Sequence, residues 1–307
     1  MKRLGIDLGG TKIAACLLDA QGNETIRLRA PTPQGDYVGT IAAIARLVKE
    51  IEEQCGRADS VGIGFPGSIS RATGLHRNAN STCLNGQDLL GDLGRAIGRE
   101  VRGANDANCL ALSEAFDGAA AKGRVVFAAI LGTGVGGGVV VDRRIIEGRN
   151  AIGGEWGHSP MPGSDRVGRE ARACYCGRSG CIEQFLAGPA LEAEYASRFC
   201  GATGAPRATL DEIDRRARDG SDAAAAATID SLCERLAEAL SSVVNLLDPD
   251  VIVLGGGVSN VGAIYERVPA LIAGKIFSDC FETPLVAAQF GDSSGVRGAA
   301  RLWDMPA

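Results

Sequence analysis

The chain has 307 residues, 45% hydrophobic and 22% charged, with a formal net charge of −5. That is enough chain for about two domains with sizeable cores, and its composition is neither disordered nor fibrous. No basic run marks a nucleic-acid binder, no apolar run approaches a membrane span, and MKRLGIDLGG reaches Gly and Asp before a secretory apolar core could form. A cytoplasmic location is expected, where the ten cysteines stay reduced or bind metal.

Residues 4–18 read LGIDLGGTKIAACLL, an apolar strand, a Gly-Gly turn and a second apolar run, which predicts a β-hairpin with a bare backbone tip. At Gly9 and Gly10 no side chain screens the amides from phosphate oxygens, Thr11 adds a hydroxyl and Lys12 a cation. Asp7, ahead of the glycines, is placed to hold Mg²⁺ through water. The pattern matches neither the Walker loop nor the G-x-G-x-x-G fingerprint. Residues 30–33, APTP, form a connector, and apolar residues at helical spacing from Tyr37 to Gln54 predict a covering helix without chemistry.

The run SVGIGFPGSIS predicts a buried strand from Val61 to Phe65 ending in a Pro66-Gly67 turn, the end of a strand where open α/β sheets place ligand loops. HRNANSTCLNG follows, crowded with amides and hydroxyls that either cap their own backbone or bond a polyol. Self-capping is the commoner use, and Asn80 is the candidate sugar contact. VRGANDANCLALSE predicts a short strand, a loop over residues 105–108 and a helix opening at about Asn108, with Asp106 either a helix cap or a reactive carboxylate.

VVFAAILGTGVGGGVVV, residues 125–141, repeats the N-terminal pattern: apolar strand, Gly/Thr turn (Gly132, Thr133, Gly134, Gly136), apolar strand. Two such hairpins half a chain apart predict a duplicated, two-lobed architecture whose tips face one cleft and grip a polyphosphate. Between Gly153 and Glu183 lie His158 and the cluster Cys174, Cys176 and Cys181, a Cys₃His set that fits a closed, structural zinc site. Gly177 and Gly180 let the backbone turn towards the metal. Glu155 and Glu183 bracket this loop, and with His158, whose second ring nitrogen is expected to be free for a ligand, they suit sugar hydroxyls. Residues 185–221 read as mixed helix and loop. Asp222 to Leu247 is an alanine-rich helix stopped by Asp248-Pro249-Asp250. VIVLGGG delivers Gly255, Gly256 and Gly257 as a flat surface for adenine or ribose, and GDSSGVRGAARLW is a closing helix that packs back on the sheet.

In this order DLGGTK, GFPG, NDAN, LGTGVGGG, GEWGH, CYCGRSGCIE and DPDVIVLGGG resemble the ROK family (repressors, open reading frames and sugar kinases) nearly end to end. The resemblance implies the two-lobed actin-like/hexokinase-like, ribonuclease H-like α/β ATPase fold. The expected lobes are 1–118, with 292–307 packing back on it, and 119–291 carrying the zinc loop. It implies Asp106 as general base and Asn105, Glu155, His158 and Glu183 as sugar ligands. The zinc set implied is His158, Cys174, Cys176 and Cys181, and nucleotide contacts fall at Asp7, Gly9, Gly10, Thr11, Lys12, Gly132, Thr133, Gly134 and Gly255 to Gly257. The activity implied is ATP- and Mg²⁺-dependent phosphorylation of a hexose, with fructose at its 6-hydroxyl favoured because NANSTCLNG and the C-terminal motif look most like manno(fructo)kinases. Cys83 departs from those, which usually carry an aromatic there. The alternatives are a glucokinase, a mannokinase or an N-acetylhexosamine kinase on the same scaffold. A sugar-sensing repressor is disfavoured, because the first hairpin starts at Leu4 and leaves no room for a helix-turn-helix. Family members are often dimers, so a homodimer stays open.

Overall fold

The computed structural model describes residues 1–163, 172–199 and 208–305; residues 164–171 of the expected zinc loop, 200–207 and the last two residues of the expected C-terminal segment 292–307 lie outside these. In chain order the elements are β1 (Arg3–Leu8), β2 (Lys12–Leu18), β3 (Glu24–Pro31), α1 (Tyr37–Cys55), β4 (Ser60–Phe65), β5 (Ser68–Ile69), β6 (His76–Arg77), α2 (Leu89–Ile97), β7 (Arg102–Asn105) and α3 (Asp106–Phe116). They continue with β8 (Val125–Leu131), β9 (Val135–Val141), β10 (Arg144–Ile145), α4 (Glu183–Leu186), α5 (Gly188–Phe199), α6 (Leu210–Arg218), α7 (Ala223–Leu247), β11 (Val251–Gly255), α8 (Ala263–Ala273), β12 (Leu285–Ala287) and α9 (Ser294–Arg301). No helix of the described residues is long and apolar enough to cross a membrane.

Among the described residues the larger sheets have the orders β3-β2-β1-β4-β7 and β10-β9-β8-β11-β12. The two orders are the same: an antiparallel meander whose first strand is central, then strands added by crossover, parallel in β1/β4, β4/β7 and β11/β12. The duplication expected from the two glycine hairpins is therefore a duplication of whole sheets. The chain divides into two compact units, Met1–Ala128, Gly138–Gly154 and Ala288–Ala307 in one, Ala129–Gly137 and Glu155–Ala287 in the other.

In the first unit the two central strands share one pattern. Leu4, Ile6 and Leu8 of β1 and Val61, Ile63 and Phe65 of β4 join Ile44, Leu47, Val48 and Ile51 of α1 in a single buried cluster. Since side chains alternate across a strand, Gly5 and Gly62 fall on the opposite face. A Cβ at Gly5 would stand 2.0 Å from the Val296 carbonyl oxygen, and one at Gly62 1.9 Å from that of Ala299, so these glycines let α9 lie directly on the sheet. On the far side of α9, a Cβ at Gly298 would stand 1.7 Å from the Cys109 carbonyl oxygen, which brings α9 and α3 into backbone contact. Asp7 shares the glycine face of β1, so the fold sets it on the side where α3 begins.

Two local readings are corrected. The segment 24–31 is a full strand, β3, reaching Pro31, where a connector was expected from residue 30. Its pairing with β2 at a sheet edge tolerates the proline and the exposed Arg29. Helix α3 opens at Asp106 rather than near Asn108, because Asn105 takes the cap and its side chain accepts from the Ala107 N–H.

Candidate active site

The expected site residues fall into two groups, one in each unit. In the first unit the β1/β2 turn is held from outside by the end of β3. The Thr32 Oγ1 donates to the Gly9 carbonyl at 2.7 Å, the Thr32 N–H to that of Thr11 at 3.0 Å, and Gln34 to that of Gly10. The carbonyl dipoles of the tip, which would repel a phosphate, are thus taken up within the protein. Gly9 is required by closeness: its N–H bonds the Lys12 carbonyl at 3.0 Å and a Cβ would stand 2.9 Å from that oxygen. Lys12 does not stand alone as a phosphate cation; its Nζ lies 3.6 Å from Asp292, at the approach to α9.

Burial pushes the Asp7 carboxyl up to about 6, Lys12 pulling it down and Asp292 adding to the rise. A carboxylate so placed is short of positive charge, which fits a divalent cation arriving with a nucleotide. Asp106 lies nearby: the buried Cys109 thiol is pushed well up by burial, then by the Asp7 and Asp106 carboxylates, so both charges reach the same sulfur. As the first residue of α3, Asp106 sits where the helix dipole favours negative charge, and its Oδ1 accepts from the Ala107 N–H at 2.8 Å. Asn105 ties this turn to the β4 loop by donating to the Gly67 carbonyl at 3.1 Å. Gly67 has φ +81° and no room for a Cβ, which would stand 2.4 Å from the Arg77 carbonyl oxygen. Asn80 is exposed and its Oδ1 caps the Ser81 N–H at 2.8 Å, the self-capping use.

In the second unit the Cys₃His set assembles as the spacing predicted. The ligand atoms of His158, Cys174, Cys176 and Cys181 all lie within 4.8 Å of one another. A tetrahedral zinc with bonds of about 2.3 Å to sulfur and 2.0 Å to nitrogen requires S···S edges of about 3.8 Å and S···N edges of about 3.5 Å. The Cys176–Cys181 sulfurs are 3.6 Å apart and the Cys174 sulfur is 3.5 Å from His158 Nδ1, so the donors fit that ion. Gly177 and Gly180 sit at φ +85° and +73°, the knuckle expected of them. Arg172 fixes the returning chain, donating to the Gln184 carbonyl at 2.7 Å and pairing with Glu194 at 3.0 Å while lying over the Phe185 ring.

Glu183, the first residue of α4, reaches back to the second glycine turn. Its Oε2 accepts from the Val135 N–H at 3.0 Å, and a Cβ at Gly134 would stand 2.7 Å from that oxygen. The Gly132 carbonyl in turn accepts from the Gly188 N–H at 2.8 Å. The glycine turn is thereby fastened at both ends to α4 and the start of α5, a coupling between the expected sugar ligand and the expected phosphate turn that the sequence did not disclose. Gly256, at φ +83°, packs against Leu131 at the base of the same turn.

The second nitrogen of His158 is not free, as had been expected. Nε2 lies 3.0 Å from the Tyr175 hydroxyl, with the rings edge to face. Tyr175 stands between two of the cysteines, and nothing in the spacing marked it, because its partner is 17 residues away.

The ROK family model matches residues 3–305. The N-acetyl-D-glucosamine kinase of Yersinia enterocolitica is 39% identical over 302 residues, 97% of this chain and 98% of that one. Among solved structures, the ROK hexokinase from Thermus thermophilus superposes with a TM-score of 0.83 at 31% identity, over 98% of this chain and 97% of that one. A ROK glucokinase from Streptomyces griseus, in complex with glucose and AMPPNP, gives 0.80 at 28% identity, over 98% and 99%.

Proposed function

Because the chain belongs to the ROK family and has its actin-like/hexokinase-like α/β fold, we propose that this ATP-dependent sugar kinase transfers the γ-phosphoryl of ATP to the 6-hydroxyl of N-acetyl-D-glucosamine. The observation that carries the substrate is the near full-length similarity to N-acetyl-D-glucosamine kinases. It favours the amino-sugar alternative over fructose, the first expectation from the loop and C-terminal motifs.

In this reading Asp106 accepts a hydrogen bond from the 6-hydroxyl. As the sugar oxygen bonds to the γ-phosphorus and the bond to the bridging oxygen of ADP breaks, the proton passes to the Asp106 carboxylate. The transition state of phosphoryl transfer is loose, so alignment and charge stabilisation supply most of the rate and the proton moves late. Asn105, Glu155, His158 and Glu183 bind the remaining hydroxyls, with Asn80 a further candidate. The glycine turns at residues 9–12 and 132–134 offer amides to phosphate oxygens, and Gly255 to Gly257 a flat surface to the nucleoside. Asp7 would hold, through water, the Mg²⁺ that comes with the nucleotide, and that ion would supply neutralisation of phosphate charge. Zinc, held by His158, Cys174, Cys176 and Cys181, would be structural, since four protein donors leave no open position.

The test is a coupled ADP-release assay with N-acetylglucosamine, glucose, mannose and fructose, in wild type and Asp106→Asn. N-acetylglucosamine should give the highest kcat/KM. The variant should lose turnover by roughly 100- to 10,000-fold while its sugar affinity stays within a few-fold. Preference for fructose would restore the first expectation, and near-normal turnover in the variant would remove Asp106 from the chemistry.

A further inference from the structure

Tyr175 combines two properties that do not usually go together. It is 69% exposed, with little packing to hold its ring, yet its hydroxyl is aimed at His158 Nε2, 3.0 Å away, with ring centroids 5.1 Å apart at 86°. The other aromatic of this loop, Trp156, is 8% exposed and fixed by a 2.8 Å bond from its Nε1 to the Gly136 carbonyl. Trp156 is structural, whereas among the described residues no bond to the backbone secures Tyr175.

The direction of the Tyr175 bond follows from the cysteines. His158 turns Nδ1 to the sulfurs, 3.5 Å from Cys174; with its lone pair given to zinc there, the ring proton would sit on Nε2. Nε2–H donates and the phenol oxygen accepts, which leaves the phenol proton to be donated onward. On the other side of the imidazole, the Glu183 Oε1 lies 3.9 Å from the Cys174 sulfur, so a carboxylate stands beside the same set of donors. The hydroxyl therefore occupies the slot in front of the imidazole N–H. A sugar hydroxyl, which accepts once and donates once, requires the same slot.

We propose that the Tyr175 hydroxyl stands in for a substrate hydroxyl on His158 in the free protein, and that a hexose binds by displacing it. This rests on the reading of His158, Glu155 and Glu183 as sugar ligands. The backbone of the arm stays in place during the exchange, since the Cys174 N–H is bonded to the Arg178 carbonyl at 2.8 Å and the Gly177 N–H to that of Cys174 at 3.0 Å. Only the tyrosine side chain has to turn. The exchange keeps His158 oriented and satisfied without substrate, and it lowers sugar affinity by the worth of one hydrogen bond already made.

Tyr175→Phe removes the stand-in and keeps the ring. At matched zinc content and without nucleotide, calorimetric titration should show each sugar that wild type binds bound about 2- to 10-fold more tightly by the variant, the range of one net hydrogen bond. An unchanged or weaker affinity overturns the proposal, the weaker case making the hydroxyl a direct sugar ligand. Because the ratio is read on whichever hexose binds, a wrong sugar in the proposed function does not disturb it. A readout without sugar is also available. The chain has two histidines, so in ¹⁵N-histidine spectra the His158 Nε2–H signal is readily told from that of His76. It should move between wild type and Tyr175→Phe, and an unmoved signal means the contact is absent in solution and ends the idea.

Discussion

Replacing Asp7 by asparagine separates what this carboxyl does for the fold from what it does for the ligand. Burial raises it from an ordinary 3.8 to about 6. Below the lower value both folded and unfolded chains hold the proton. Between the two only the folded chain does, and above about 6 the folded chain carries a charge its surroundings disfavour. The stability Asp7 lends is therefore greatest in acid and is lost as pH rises through about 6. A shift of roughly two units corresponds to at most about 3 kcal/mol, so at pH 7.5 Asp7→Asn should stabilise the nucleotide-free protein by up to that amount. The gain should shrink to about 1 kcal/mol at pH 4.5 and vanish near pH 3. Thermal unfolding at pH 7.5 should then show a Tm higher by up to roughly 6 °C. Titration with Mg-ATP at the same pH should show nucleotide binding weakened. A variant that is destabilised equally at every pH would mean that Asp7 is a structural hydrogen-bond acceptor and that the cation reading has no support from its burial.

Gly298→Ala should lower stability by at least about 2 kcal/mol in urea titration, because the new Cβ would stand 1.7 Å from the Cys109 carbonyl oxygen and would force α3 and α9 apart. The gain in helix propensity, about 1 kcal/mol, has the opposite sign and is the smaller term; a neutral result would mean the contact between these helices is looser than described. Cys181→Ser, at a position 1% exposed, should abolish zinc in metal analysis and raise the sugar KM by at least about tenfold, since His158 loses the ion that orients it. Full zinc content in that variant would remove Cys181 from the ligand set.

What could be read from the sequence was whatever a short stretch settles by itself. Both glycine hairpins, α1, β4 and α7 each announce themselves through local periodicity and punctuation, and the Cys₃His set through spacing alone. β3 was missed because an edge strand carries charges on its open side, and Arg27 and Arg29 masked the alternation of Ile26, Leu28 and Ala30. The start of α3 was misplaced by two residues because residues 105–108 hold several capping types and read as loop, whereas Asn105 takes the cap and also reaches the Gly67 carbonyl.

The candidate site was legible as a set of residue types and not as a set of bonds. A carboxylate's role depends on its partner, and partners are a property of the folded chain. Glu183 reads as a sugar ligand from its place beside Cys181, but its oxygen holds the Val135 N–H, 48 residues upstream. A hydroxyl bonded at Glu183 would therefore bear on the turn proposed to hold phosphate, linking occupancy of the sugar site to the geometry of Gly132 to Gly134. A Cβ at Gly134, whose own φ lies outside the left-handed region, would stand 2.7 Å from the Glu183 oxygen and would push that carboxylate away from the Val135 N–H. The glycine reads in sequence as freedom for a phosphate to approach, and in the structure it is first of all room for a carboxylate.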